Sequence, residues 1–297
     1  MAEEALRLEP SNPELLELLQ SARRQATPAA GPSSSTPTAA AISPRSSLTR
    51  QSVLSCLGGV RLGPTGALFG DSADGVNENL LVLLHGLGDG PQRFGDLARH
   101  LRLAQTAWVS LPGPLEVPMV GGRSWYQVFG ADFELLPPGD PELVSSLQQV
   151  VREGLVAFCR ALDRELGLPL DRIHLLGFSQ GGTVALHTAL ELPGLGSAAS
   201  ISGPLVEAAA AATGGSPSVR VLVTRGDRDE RVTGADIDRT MSLLKRRGVA
   251  AALVSVPDKG HAMVSGKVRA VWCALCCAGP PVYGVTPGNA RRSSRGR

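Results

Sequence analysis

The chain has 297 residues, 43% hydrophobic and 19% charged, with a formal net charge of +2. That balance is ordinary for a globular chain able to bury a sizeable core; the net charge argues neither for nor against nucleic acid, no basic stripe is interleaved with aromatics, and no nucleic-acid partner is expected. No apolar run approaches the roughly 20 residues of a membrane span, and the cysteines (Cys56, Cys159, Cys273, Cys276 and Cys277) are odd in number and form no disulfide framework, so a reducing, cytoplasmic setting is expected.

Residues 1–25 read as one amphipathic helical segment, charged and unlike a signal peptide. Leucines lie among Glu and Arg, and Ser11-Asn12-Pro13-Glu14 is a helix start. The stretch Ala5 to Glu14 resembles the junction between a tetratricopeptide repeat and its capping helix, but one such fragment cannot bury its apolar face alone. Residues 26–51 are rich in Ala, Pro, Ser and Thr, a composition too poor in apolar surface to offset its ordering entropy, and are expected to be a disordered linker. A folded domain is expected over 52–278, with a disordered basic tail over 279–297.

Within that domain Val53–Leu62 and Ala67–Phe69 are expected as an opening antiparallel pair. Leu80–Leu84 is a continuous apolar run and reads as a buried strand. A helix over 91–103 and a strand over 107–111 follow, the latter stopped by Pro112-Gly113-Pro114. Residues 141–166 carry Leu143, Leu147, Val150, Val151, Phe158, Leu162 and Leu166 at helical spacing. Then come strand 173–178, helix 180–191, strands 198–202 and 219–224, helix 235–247, strand 252–256 and a last helix around 266–277. Alternating helices and continuous apolar strands define an α/β class, with a mostly parallel sheet covered on both faces.

Gly177-Phe178-Ser179-Gln180-Gly181 lies between such a strand and such a helix. In that context G-x-S-x-G is a nucleophile elbow: the serine sits on a sharp, strained turn, and its neighbours lack a Cβ because space is short. Ser179 is therefore the candidate nucleophile. The base must be one of five histidines. His100 is on a predicted helix, His174 within the strand that feeds the elbow, His187 along the helix that leaves it, and His85 at a strand end. His261 follows strand 252–256 on a loop at the carboxyl end of the sheet, where ligands gather in open α/β folds, and is the candidate base. Asp227 and Asp229 both follow strand 219–224, in serine–acid–histidine order along the chain. Asp229 is preferred, with Asp227 the alternative. The oxyanion donors are expected to be the backbone N–H of Gln180, next after the nucleophile, and of Leu87 in the Gly-rich turn His85-Gly86-Leu87-Gly88.

Together with Trp125, Gly226-Asp227-Arg228-Asp229 and Gly260-His261, these motifs resemble the acyl-protein thioesterase (phospholipase/carboxylesterase) family of α/β-hydrolases, from about Leu80 to Trp272. The resemblance implies an α/β-hydrolase fold, a Ser179–Asp229–His261 triad and an oxyanion hole at Leu87 and Gln180. It also implies hydrolysis of acyl esters or thioesters, including acylated proteins, and favours Asp229 over Asp227. Trp125 and Phe129 are expected at the substrate, Phe129 as part of an apolar groove with Phe133, Leu135 and Leu136. No cofactor or metal is expected, and no second ligand pair accompanies the clustered cysteines. A transient membrane-surface contact would suit an acylated-protein substrate. The rival expectations are a small-ester carboxylesterase or lysophospholipase, and a non-catalytic protein that binds a partner through the N-terminal helix. Arg225, where the family usually has His, and the Pro112–Pro114 and Gly121–Trp125 loops depart from the family pattern.

Overall fold

The computed structural model describes residues 48–62, 65–117, 121–210 and 219–262. The expectations for segment 1–25, for nearly all of linker 26–51, for the closing helix near 266–277 and for the tail 279–297 lie outside these residues.

The first element among the described residues is α1 (Arg50–Ser55), where a strand from Val53 was expected. A local device decides the matter. Thr49 and Ser52 form a reciprocal capping box, each side chain accepting a hydrogen bond from the other's backbone N–H. Val53, Cys56 and Leu57 are then buried, as is Leu48, ahead of the expected domain start. β1 (Leu68–Gly70), β2 (Asn79–Leu84), α2 (Pro91–Leu101) and β3 (Thr106–Leu111) follow, then a short hairpin of β4 (Leu115–Glu116) and β5 (Arg123–Ser124) that the periodicity did not signal.

Helix 141–166 is continuous but changes winding, from α3 (Pro141–Gln149) through a π-helical stretch (Val150–Val156) to α4 (Ala157–Leu166). Asp140 caps its start by accepting from the amides of Glu142 and Leu143, and Gly167 ends it in the left-handed region at φ 64°. The remaining elements are β6 (Ile173–Phe178), α5 (Gln180–Glu191), β7 (Ser197–Ile201), β8 (Arg220–Gly226), α6 (Gly234–Arg246) and β9 (Ala250–Val256).

The main sheet has seven strands in the order β1-β3-β2-β6-β7-β8-β9. β1 runs antiparallel to β3 and every other pair is parallel. Successive residues of β2 point to opposite faces, so Leu80, Val82 and Leu84 enter one core cluster while Leu81 and Leu83 enter another with Phe94 and Leu97 of α2. Both faces of the central strands are buried, which is why they read as unbroken apolar runs.

Strand order reverses between β2 and β6: from β2 the chain moves outward to β3, and from β6 it moves the other way through β7, β8 and β9. The carboxyl ends of β2 and β6 therefore flank the switch-point crevice, where open α/β sheets bind ligands. His85-Gly86-Leu87-Gly88 leaves β2 there and Ser179 leaves β6.

Candidate active site

Ser179 stands between β6 and α5 with φ 52° and ψ −117°. A residue with a side chain is strained there by ~1–3 kcal/mol. The turn is tight enough to demand glycine on either side: a Cβ on Gly177 would lie 2.1 Å from the Gly181 carbonyl oxygen, and one on Gly181 2.3 Å from that of Leu84. The strained turn is pinned by the Ser179 N–H donating to the Ile201 carbonyl at 2.8 Å.

His261 arrives from the loop after β9. Its Nε2 lies 2.9 Å from Ser179 Oγ, and its Nδ1 lies 3.0 Å from Asp229 Oδ2 and 3.1 Å from Oδ1. A neutral ring that donates from Nδ1 to the carboxylate leaves Nε2 free to accept from the serine hydroxyl. The Phe178 ring packs beside the imidazole, centroids 5.1 Å apart, and limits its swing.

Asp229 is buried and Asp227 is exposed. Oδ1 of Asp229 accepts from the backbone N–H groups of Arg231 (3.0 Å) and Val232 (2.9 Å). Burial alone would raise this carboxyl, but the Val232 amide, the Ser202 hydroxyl and His261 outweigh it and hold the group below the usual carboxylate range. The structure thus brings Ser179, His261 and Asp229 into one hydrogen-bonded row and leaves Asp227 outside it.

The other histidines are committed elsewhere. His174 Nδ1 meets Ser197 Oγ at 3.0 Å, His187 Nε2 accepts from the Val206 amide at 3.1 Å, and His100 Nδ1 faces its own helix at Asp96 O. His85 is fully buried. Its Nε2 accepts from the Gly113 amide at 2.9 Å, which places the proton on Nδ1, 2.7 Å from Gly86 O. Burial lowers its pKa and keeps it neutral.

His85 is one tie in a brace around the turn that carries Leu87. The Gly88 amide donates to Arg123 O (2.9 Å) and the Arg123 amide to Asp89 O (2.8 Å), while the Arg123 side chain donates from Nε to Gly113 O (2.8 Å). Trp125 was expected to face substrate. It is 1% exposed and acts as a strut instead, its indole N–H donating to His85 O at 2.8 Å and its backbone N–H to Gln180 Oε1 at 2.9 Å. The Gln180 amide group closes the brace, with Nε2 donating to Ser124 Oγ (2.8 Å) and Tyr126 O (3.1 Å).

Sequence reasoning used Gln180 only for its backbone and did not single out Arg123, Ser124 or Tyr126. A buried glutamine beside the nucleophile was the available signal. Neither the Leu87 nor the Gln180 backbone N–H donates to another group among the described residues. Both lie at the switch point, the latter at the positive end of α5.

Phe129 and Phe133 line a cavity of about 80 Å³ with Leu115, Val117 and Ser124. Ser124 links that cavity to Gln180. Phe133 and Leu135 are 57% and 69% exposed, so the apolar groove expected in this segment is open on one side.

The profile of a family described as phospholipase/carboxylesterase matches residues 71–275. An uncharacterized hydrolase of Mycosarcoma maydis is 37% identical over 130 residues, 42% of this chain and 47% of that protein, so the chain spans about half the length of this curated relative. Among solved structures, esterase PE8 superposes with a TM-score of 0.58 at 23% identity, covering 71% of this chain and 98% of that one. Acyl-protein thioesterase 2 of Zea mays gives 0.55 at 19% identity, covering 71% and 99%. At these identities the structural likeness establishes the shared α/β-hydrolase fold.

Proposed function

The chain belongs to the phospholipase/carboxylesterase family of hydrolases, and from that premise we propose that it is a serine hydrolase cleaving carboxylic esters or thioesters through an acyl-enzyme. One observation carries the reading: the continuous row from Ser179 Oγ through His261 to the buried Asp229 carboxylate, with hydrogen-bond distances of 2.9 and 3.0 Å.

Ser179 Oγ attacks the acyl carbon while His261 Nε2 takes its proton. The carbonyl π electrons move onto oxygen, which the N–H groups of Leu87 and Gln180 receive. Asp229 fixes the tautomer of His261 and stabilises the imidazolium. As the intermediate collapses, the bond to the alcohol or thiol breaks, and the leaving oxygen or sulfur takes the proton from His261. Water repeats the sequence on the acyl-serine and releases the carboxylic acid and free Ser179. The brace through His85, Arg123, Trp125 and Gln180 supports this reading, because oxyanion donors act only when they are held in place beforehand.

The acyl group is assigned to the cavity at Phe129 and Phe133, with the rest of a longer chain along the exposed Leu115, Phe133 and Leu135. Removal of acyl groups from proteins, the activity in the name of the maize neighbour, is the finer proposal. It would place the protein in the cytoplasm, with transient contact to membranes carrying its substrates. The second reading is a carboxylesterase for short acyl groups.

The test is labelling by a fluorophosphonate, wild type beside Ser179→Ala, followed by turnover of p-nitrophenyl esters from acetate to palmitate. Labelling that disappears in the variant supports the nucleophile, and an optimum at eight carbons or longer favours the thioesterase-like reading over the short-ester one. Equal labelling of a folded Ser179→Ala variant overturns the assignment.

A further inference from the structure

Ser202 follows β7, the strand between those that lead to Ser179 and to Asp229. Its backbone has φ 52°, the left-handed region that side-chain-bearing residues avoid. The turn is held on both sides: Ile201 O accepts from the Ser179 amide at 2.8 Å, and the Ser202 amide donates to Thr224 O at 2.7 Å. Gly203 comes next because a Cβ there would lie 2.4 Å from Ser179 O.

Glycine would relieve the strain at position 202, so the serine side chain needs a reason. Its hydroxyl is fully buried, and no group meets it with full hydrogen-bond geometry among the described residues. The neighbouring strand β8, whose Thr224 carbonyl takes the Ser202 amide, leads directly to Asp229, and the Ser202 hydroxyl is among the groups that favour the ionised form of that carboxyl. The two carboxylate oxygens are filled unequally. Oδ1 already accepts from two backbone amides as well as facing His261, whereas among the described residues Oδ2 meets only His261. A strained backbone and an under-satisfied buried hydroxyl at one residue are two local violations, which folded chains concentrate at functional positions.

We propose that Ser202 is a positioning residue of the relay: its hydroxyl donates to Asp229 Oδ2 and fixes the carboxylate edge that faces His261 Nδ1. This rests on the serine-hydrolase reading. When His261 takes the Ser179 proton, the carboxylate must hold its orientation and its charge against a new cation. Two amides anchor one oxygen, and the Ser202 hydroxyl anchors the other.

The experiment compares Ser202→Ala and Ser202→Gly with wild type, using the fluorophosphonate labelling rate and the pH profile of kcat/KM for p-nitrophenyl butyrate. Both variants are expected to lose ~10-fold or more in rate, as when a hydrogen bond that orients a functional ligand is removed. Ser202→Gly is expected to melt no lower than Ser202→Ala, since it relieves the positive φ, and this separates lost activity from lost fold. With one donor fewer, the carboxylate turns more charge toward the imidazole, so the acid limb of the profile should move to higher pH. In an Asp229→Ala background Ser202→Ala should change the labelling rate by less than about 2-fold, because residues acting as a unit are not additive.

The proposal is overturned by rates within about 2-fold of wild type, by an unmoved acid limb, or by an equal loss with and without Asp229. Ser179-dependent labelling in wild type together with any of those results sinks the role of Ser202 alone. Wild type that does not label sinks the hydrolase reading and this one with it.

Discussion

His187 makes the fold acid-labile in a way that one substitution should measure. It lies on α5, 2% exposed, and its Nε2 accepts from the Val206 amide. A protonated ring has no lone pair for that bond and no solvent for its charge. Burial accordingly holds its pKa down to about 3, against about 6.5 in an unfolded chain. Between those values the unfolded state binds the extra proton. The stability is therefore fully present above about pH 6.5 and is lost as pH falls toward the folded pKa, by up to ~1.4 kcal/mol per unit. At pH 5 this one residue has withdrawn about 2 kcal/mol.

His174 acts in the same direction. Burial, with Arg220 and Arg172 nearby, holds it at about 4. The pair thus removes about 4 kcal/mol at pH 5, a large share of the ~5–15 kcal/mol by which domains are stable. His187→Gln keeps a side-chain acceptor near Val206 and does not titrate. Urea unfolding at pH 7, 6 and 5 should give a stability that falls less steeply in the variant, by roughly 1 kcal/mol per unit between pH 6 and 5, with the m-value unchanged. Parallel lines for the two proteins would refute the reasoning.

Gln180→Ala leaves the buried Trp125 amide without its partner, while the Tyr126 carbonyl keeps the Ser124 hydroxyl, and urea unfolding should report a loss of ~1–3 kcal/mol for the one orphaned group. Gly122→Ala places a Cβ 2.1 Å from Gly88 O at a φ of 78°, pushing the turn that carries Leu87. kcat/KM on p-nitrophenyl butyrate should fall by ~10²-fold, the scale of a 1 Å misplacement, and a fully active, folded variant would remove Leu87 from the site. Asp229→Asn should reduce kcat by ~10⁴-fold by reversing the tautomer preference, while the exposed Asp227→Asn stays within about 2-fold. Comparable losses in the two would mean that the acid has been misassigned.

What the sequence made legible follows from the range of the forces involved. The strand Ile173–Phe178 and the helix Gln180–Glu191 were readable to the residue, because apolar continuity and the flanking glycines are local signals. The opening segment was misread: Val53, Leu54 and Leu57 suit either structure, and the choice was made by a capping box at Thr49 and Ser52, one turn earlier. The roles of Trp125 and Gln180 were hidden for a different reason. Their contacts span 40 and 55 positions along the chain, so nothing nearby announces that the indole meets the turn after β2 or that the amide meets the segment from Ser124 to Tyr126. Ser202 reads in the sequence only as a strand end, because a positive φ at a serine leaves no mark in composition.

The sheet explains why these distant residues are needed together. Phe178, Ile201 and Thr224 are register partners across β6, β7 and β8. Ser179 leaves the first of those strands and Asp229 follows the third. Two strand spacings, ~10 Å, put serine and aspartate beyond direct contact. One imidazole with a hydrogen bond at each end, 2.9 Å to Ser179 and 3.0 Å to Asp229, spans the interval. That ring must pass over the end of β7, so β7 has to stop early and turn tightly. Ser202 in the left-handed region and Gly203 against the Ser179 carbonyl make that turn. The strain at 202 and the strain at 179 are then two consequences of one requirement: a relay laid across three parallel strands, with its middle strand held below it.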